Sequence, residues 1–201
     1  MATKYTGENI KVLSDIEHIR LRSGMYIGES TNPHHLFSEA FDNAKDEYQA
    51  GYGKLIKILV NTKENSYTII DEGRGIPIGT KKLDNGEEEE IIKILCTKSN
   101  SGGKFDTSSY LISAGLHGLG NTLINALSLQ MICTTERDGQ KVTYNTKTDK
   151  LIYANSKRHG TTISFIPNPK YFESPVIPID FIDNYLKHIL FQRIHHYLIF
   201  L

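Results

Sequence analysis

The sequence predicts an α+β fold, a two-layer sandwich in which helices cover one mixed, mainly antiparallel sheet. Three observations carry that expectation. Apolar residues at helical spacing occupy 33–50 and 179–197, near the two ends of the chain. Between 129 and 166, four short stretches of strand-forming residues follow one another, the first two joined at Asp138-Gly139. There is no regular strand–helix alternation and no Gly-x-x-x-x-Gly-Lys-Ser/Thr sequence, which argues against a Walker-type nucleotide fold.

The elements follow in order. Residues 1–13 are polar and end in Ile10-Lys11-Val12-Leu13, an arm that needs a surface to lie on; 14–201 form the domain proper. Ser14-Asp15-Ile16-Glu17 has the form of a capping box and starts a helix to about residue 22, which Ser23-Gly24 stops. Asn32 as N-cap and Pro33 as first helical residue open a helix to about residue 50. Its apolar positions are Leu36, Phe37, Ala40, Phe41, Ala44 and Tyr48. Strands are expected over 54–61 and 66–70, joined by Lys63-Glu64-Asn65. A polar loop over 79–86 precedes a helix over 87–96, whose four glutamates suit a helix N-terminus. The stretch 97–114, rich in Ser, Gly and Asn, is long for a loop, as functional loops often are. A helix over 119–127, strands over 129–137, 140–147, 150–154 and 161–166, and a last helix over 179–197 complete the pattern.

Composition bounds the function classes. The 201 residues suffice for one domain with a sizeable core. Lys plus Arg equals Asp plus Glu, 23 each, so no net basic field draws the chain to DNA. Cys96 and Cys133, without CxxC spacing, read as two buried free thiols in a reducing compartment. The start of the chain lacks the apolar core of a signal peptide and no run suits a membrane span, so the expected location is cytoplasmic, with no membrane partner. No spacing of His, Cys and carboxylates completes a zinc site.

Four short segments carry the chemistry. Glu39 and Asn43 share a helix face, with His35 one turn earlier, where an i,i+4 hydrogen bond can hold Glu39. Taken alone this is a solvated stripe. A glutamate that orients water and an amide oxygen that completes octahedral Mg²⁺ are, however, the pair that ATP hydrolysis needs. Asp71-Glu72-Gly73-Arg74-Gly75-Ile76-Pro77 places a carboxylate at a strand end beside glycines, where an adenine amino group can be accepted; alone it is a turn. Asp46 or Glu47 is placed to pair with Arg74. Gly115-Leu116-His117-Gly118-Leu119-Gly120 precedes a helix and lets backbone N–H groups converge on phosphates. Lys104 and Tyr110, in the preceding loop, are within reach of a nucleotide; His117 reads as a packing residue of that loop. Gly160-Thr161 opens a strand, with the Thr161 hydroxyl directed at Asp71 or a bridging water.

This ordered set resembles the ATP-binding domain of the GHKL superfamily of gyrases, heat-shock chaperones, mismatch-repair ATPases and histidine kinases. Arg22-Ser23-Gly24-Met25-Tyr26-Ile27-Gly28 is similar to the Arg-Pro-Gly-Met-Tyr-Ile-Gly signature of type IIA DNA topoisomerases, with Ser23 in place of proline. His34-His35-Leu36, Asp42-Asn43-Ala44, Gly102-Gly103-Lys104-Phe105 and Gly115-Leu116-His117-Gly118 also resemble gyrase B and topoisomerase IV ATPase subunits, with coverage over 11–167. The resemblance implies the Bergerat ATP-binding fold and an ATP and Mg²⁺ site. Glu39 is then the base, supported by His35, and Asn43 the metal ligand. Asp71 reads adenine beside an Ile76-Pro77 wall.

It further implies an ATP-driven dimer whose closure captures DNA, with Tyr5 crossing to the partner's nucleotide, and a DNA-cleavage subunit or domain as partner. Arg137 matches a position that gyrase inhibitors contact. The longer stretch at 97–101, Ala114 and Asn121-Thr122 depart from bacterial gyrases and resemble divergent phage or viral forms. The transducer domain, with its phosphate-contacting lysine, and the DNA-cleavage regions lie outside this chain. That leaves two alternatives, a stand-alone nucleotide-binding regulator of a partner protein and, more weakly, a chaperone-like ATPase.

Overall fold

A computed structural model of the chain describes residues 13–28, 32–99, 118–190 and 197–200. Helix α1 (Asp15–Leu21) begins as the sequence requires. The Ser14 hydroxyl accepts from the Glu17 N–H at 3.3 Å, and the Glu17 carboxylate accepts from the Ser14 N–H at 2.9 Å. Ser23-Gly24 does not stop helical structure. After irregular backbone at Arg22, α2 (Ser23–Ile27) forms and ends at Gly28. Burial of Ile27 and a 2.8 Å hydrogen bond between the Tyr26 hydroxyl and His18 hold it against α1.

Helix α3 (His34–Gln49) starts one residue later than the spacing suggests, with Pro33 itself in the N-cap position. Leu36, Phe37, Ala40, Phe41 and Ala44 are buried along one face. The hairpin β1 (Ile56–Asn61) and β2 (Ser66–Asp71) follows in unbroken antiparallel register, from Ile56↔Asp71 to Asn61↔Ser66.

The expected helix over 87–96 is a correction. Glu88, Glu89 and Glu90 form strand β4 (Glu88–Glu90), paired antiparallel with β3 (Thr80–Lys82) as a separate two-stranded sheet. The glutamate side chains find partners outside a helix, Glu88 accepting from the Thr80 hydroxyl at 3.1 Å, Glu89 paired with Lys98 at 3.2 Å and Glu90 accepting from the Tyr153 hydroxyl at 2.6 Å, and these contacts prevail over the helix dipole. Only α4 (Ile91–Thr97) is helical there. Then come α5 (Gly120–Ala126), β5 (Ser128–Arg137), β6 (Gln140–Asn145), β7 (Lys150–Asn155) and β8 (Gly160–Pro167).

Helix α6 is described over Ile179–Leu190, and Tyr197, expected as its last residue, instead opens strand β9 (Tyr197–Phe200), parallel to β1 with Ile56 opposite Tyr197. The main sheet has the order β7-β6-β5-β8-β2-β1-β9, antiparallel except for that last pair. One face, carrying Ile58, Ile69, Ile163, Phe165, Met131, Cys133 and Val142, is buried beneath the helices. Threonines and serines populate the opposite face, with Thr68 donating to Ser164 at 2.8 Å and Thr134 bonded to Thr143 at 3.0 Å. This is the α+β two-layer sandwich the sequence predicts. Cys96 and Cys133 are buried and free, also as expected. Among the described residues no helix is long and apolar enough to cross a membrane.

Candidate functional site

Helix α3 and the N-terminal turn of α5 meet over the sheet, and the polar stripe of α3 lies in that seam. An added Cβ on Gly120 would sit 2.5 Å from Glu39 Oε2, so glycine lets α5 begin directly against this carboxylate, which a larger residue would push aside. One turn along α3, the Asn43 amide nitrogen donates to Asn121 Oδ1 at 3.3 Å. Glu39 and Asn43 therefore face the loop-to-helix junction at Gly118, Leu119 and Gly120, while His35, one turn before Glu39, is exposed.

Asp71 ends β2, buried at 9 % exposure. Its Oδ1 accepts from the Gly73 N–H at 2.7 Å and from the Thr161 N–H at 3.1 Å. Thr161 thus holds Asp71 through its backbone rather than through the expected hydroxyl. Among the described residues Oδ2 accepts no hydrogen bond. Burial pushes the Asp71 carboxyl up to about 6, against the pull of the two N–H groups, with the Glu47 charge adding to the rise. Gly160, at φ +128°, passes so close that a Cβ there would overlap the Asp71 carbonyl. A carboxylate kept dry, with one oxygen fixed and the other open, is built to accept a donor from a bound molecule.

The segment after Asp71 is pinned from three sides. Glu47 forks onto Arg74 at 3.0 and 2.8 Å and also accepts its backbone N–H at 3.0 Å, while the guanidinium lies 4.0 Å above the Tyr52 ring. Of the two carboxylates weighed as partners for Arg74, the structure shows Glu47 in that role; Asp46 is buried nearby on the same helix. The Thr135 hydroxyl donates to the Ile76 carbonyl at 3.0 Å, Arg137 donates to the Gly75 carbonyl at 3.3 Å, and His159 Nδ1 lies 2.8 Å from the Gly73 carbonyl. Gly75, Ile76 and exposed Pro77 are held in place in this way beside β5 and β8.

The structure thus gathers two clusters: Glu39 and Asn43 with Gly120, and Asp71 with Thr161 and the Arg74–Pro77 segment. Glu47 and Arg74 clamp the second cluster to the helix that carries the first. Tyr5, Lys104, Tyr110, Gly115, Leu116 and His117 lie outside the described residues. Thr135 and His159 were missed by sequence reasoning. Thr135 had a signal, a buried polar residue in the inward series Met131, Cys133, Thr135 of β5; His159, in a polar turn, had none. Among the described residues no group of three His, Cys or carboxylates could hold a metal.

Comparison with known proteins agrees with this geometry. Residues 28–170 match the family described as histidine kinase-, DNA gyrase B-, and HSP90-like ATPase. The chain is similar to the B subunit of the type 2 topoisomerase of Aquifex aeolicus, 36% identical over 195 residues, covering 94% of this chain and 24% of that protein. It is likewise 36% identical over 200 residues to the B subunit of DNA gyrase from Enterococcus faecalis, covering 94% of this chain and 30% of the relative. Against the B subunit of DNA topoisomerase 4 from Pseudomonas aeruginosa it is 36% identical over 199 residues, with the same two shares of 94% and 30%. The chain spans less than a third of the length of these relatives. With residues 28–170 matched, most of its length, the chain belongs to the histidine kinase-, DNA gyrase B- and HSP90-like ATPase family.

Proposed function

We propose that this domain binds ATP with Mg²⁺ and hydrolyses it as the ATPase part of a type II DNA topoisomerase, where nucleotide-driven pairing of two copies is coupled to DNA strand passage. The observation that carries the reading is the seam of α3 and α5, with Glu39 against Gly120 and Asn43 bonded to Asn121, beside a dry carboxylate with one open oxygen. The topoisomerase assignment draws on relatives that are gyrase and topoisomerase subunits. Its partners are then a second copy, a DNA-cleavage subunit or domain, and DNA through the complete enzyme, in the cytoplasm.

The donor set fits the nucleotide. Asp71 Oδ2 accepts the adenine amino group, with Ile76 and Pro77 as the wall beside the base and Thr161, Gly75 and Arg74 shaping the pocket. Gly118, Leu119 and Gly120 lead into α5, whose first N–H groups favour phosphate. Lys104, Tyr110, Gly115, Leu116 and His117 complete the nucleotide set, with Tyr5 reaching the nucleotide of the second copy. Asn43 supplies the amide oxygen for the metal, and Asp46 supports it from the next turn. Asn43 would help to hold a magnesium ion, which would offset charge developing on the phosphate. Glu39 orients the attacking water and takes its proton, with His35 holding the carboxylate.

Calorimetry with a non-hydrolysable ATP analogue, with and without Mg²⁺, tests the binding. Micromolar, metal-dependent affinity is expected, and no binding would sink the reading. Supercoiling or relaxation assays with an added cleavage subunit separate a topoisomerase from a stand-alone regulator.

A further inference from the structure

Three consecutive residues at the start of β8 grip the end of β2, each with a different group. Thr161 gives its N–H to Asp71 Oδ1 at 3.1 Å, and Gly160 brings bare backbone against the Asp71 carbonyl. His159 gives its side chain, with Nδ1 2.8 Å from the Gly73 carbonyl oxygen. A carbonyl only accepts, so Nδ1 carries the proton in this contact. Gly73 is thereby held at both ends, its N–H by Asp71 Oδ1 at 2.7 Å and its carbonyl by His159. The turn that carries His159 has its own anchor. The Ser156 hydroxyl donates to Glu136 Oε1 at 2.7 Å and accepts the Arg158 N–H at 3.0 Å, and the Ser156 N–H donates to the Gly139 carbonyl at 3.0 Å. The imidazole therefore reaches Gly73 from a base tied to the β5–β6 hairpin.

The aim of the Asp71 carboxylate depends on Gly73. Oδ1 is turned toward the Gly73 and Thr161 N–H groups, which leaves Oδ2 for a donor from a bound molecule. The Gly73 N–H keeps that aim only while the turn over 72–74 stays still. On the α3 side the turn is held by Glu47, which accepts the Arg74 N–H at 3.0 Å, and on the β8 side by His159. We propose that His159 is a positioning residue that sets base specificity: by fixing the Gly73 carbonyl it holds Asp71 in the orientation that accepts the exocyclic amino group of adenine. The proposal rests on the nucleotide-binding reading above, with Asp71 as the adenine acceptor. The imidazole acts through Gly73 and Asp71, so its loss loosens the hold on the amino group and leaves the hold on sugar and phosphates.

Calorimetry on the whole chain with two non-hydrolysable nucleotides tests this: an ATP analogue, and its counterpart whose purine lacks the 6-amino group. His159→Ala removes the donor, whereas His159→Asn keeps one, because the asparagine Nδ2 stands where the imidazole Nδ1 does. Affinity of His159→Ala for the amino-bearing analogue is expected to fall roughly threefold to tenfold, the range for one neutral hydrogen bond. Its affinity for the counterpart is expected to stay within about twofold of wild type on the same scale, and His159→Asn to recover most of the loss. A ring that only stabilised the turn would weaken both nucleotides alike, so parallel losses overturn the proposal. Wild-type affinity of His159→Ala for the amino-bearing analogue overturns it too, as does a His159→Asn protein no better than His159→Ala. If His159→Ala fails to fold, His159→Phe, which keeps a ring without the donor, is read against His159→Asn in its place. A wild-type chain that binds neither nucleotide is a different result and refutes the nucleotide reading itself; one that binds both equally refutes Asp71 as the adenine acceptor, and the proposal with it.

Discussion

Asp71 shows most directly a group whose cost to the fold points to its use. Its ordinary value is 3.8, and burial raises it to about 6. An acid whose folded value is raised binds its proton more tightly in the native state, so stability falls as pH rises from about 4 to about 6 and stays lowered above that. Asn at this position keeps an acceptor for the Gly73 and Thr161 N–H groups but cannot ionise. Asp71→Asn is therefore expected to raise the melting temperature at pH 7, by at most on the order of 3 kcal/mol in stability, and to leave it unchanged below about pH 4. The same substitution should weaken adenine nucleotides by roughly 1.5–3 kcal/mol. Opposite signs in melting and calorimetry mark a functional carboxylate, whereas a loss of stability at pH 7 would make Asp71 structural. Glu39→Ala should lower turnover by about 10²–10⁴-fold with binding largely kept; an unchanged rate would mean that another group handles the water. Asp71, Glu39 and Asn43 were legible because their spacing is short and local. The backbone route by which Thr161 reaches Asp71 was not, because a hydroxyl advertises itself in sequence and an N–H does not.

At the scale of elements, legibility follows the range of the interaction that decides each one. The capping box of α1 and the turn at Asp138-Gly139, both with local causes, stand where the sequence puts them. The glutamate run does not, because four identical residues have no period and one of their partners, Tyr153, lies on a distant strand. Tyr197–Phe200 pairs with β1, and a partner about 140 residues away leaves no local mark. Close approaches between elements are hidden in the same way until the glycines are seen in place. Gly160→Ala is expected to cost about 2 kcal/mol or more, since its Cβ would overlap the Asp71 backbone and its φ is one that alanine rarely adopts. Nucleotide affinity should fall with it, read by thermal melting and calorimetry side by side. A stable Gly160→Ala protein with wild-type affinity would show that β8 does not position Asp71.

For the whole molecule the decisive fact is proportion, since the chain covers 24% to 30% of the topoisomerase subunits it resembles. Binding and turnover separate under that constraint. The groups proposed to recognise adenine and to orient water lie on α3, β2 and β8, elements that share one packed core, so affinity should survive in this chain alone. Stabilising charge on the departing phosphate is a different demand. Preorganised cationic help of that kind commonly contributes several kcal/mol to turnover and little to ground-state binding, and the resemblance places that lysine in a domain beyond this chain. The arm carrying Tyr5 would likewise have only part of a dimer surface to hold. The chain alone is therefore expected to bind the ATP analogue, hydrolyse ATP slowly and sediment mainly as a monomer even with the analogue present. Steady-state ATPase measurement and analytical ultracentrifugation check both halves. Fast turnover together with a stable nucleotide-bound dimer would mean that the charge stabilisation comes from within these 201 residues. The search for it would then turn to the cations flanking the glycine-rich stretch, beginning with Lys98 and Lys104.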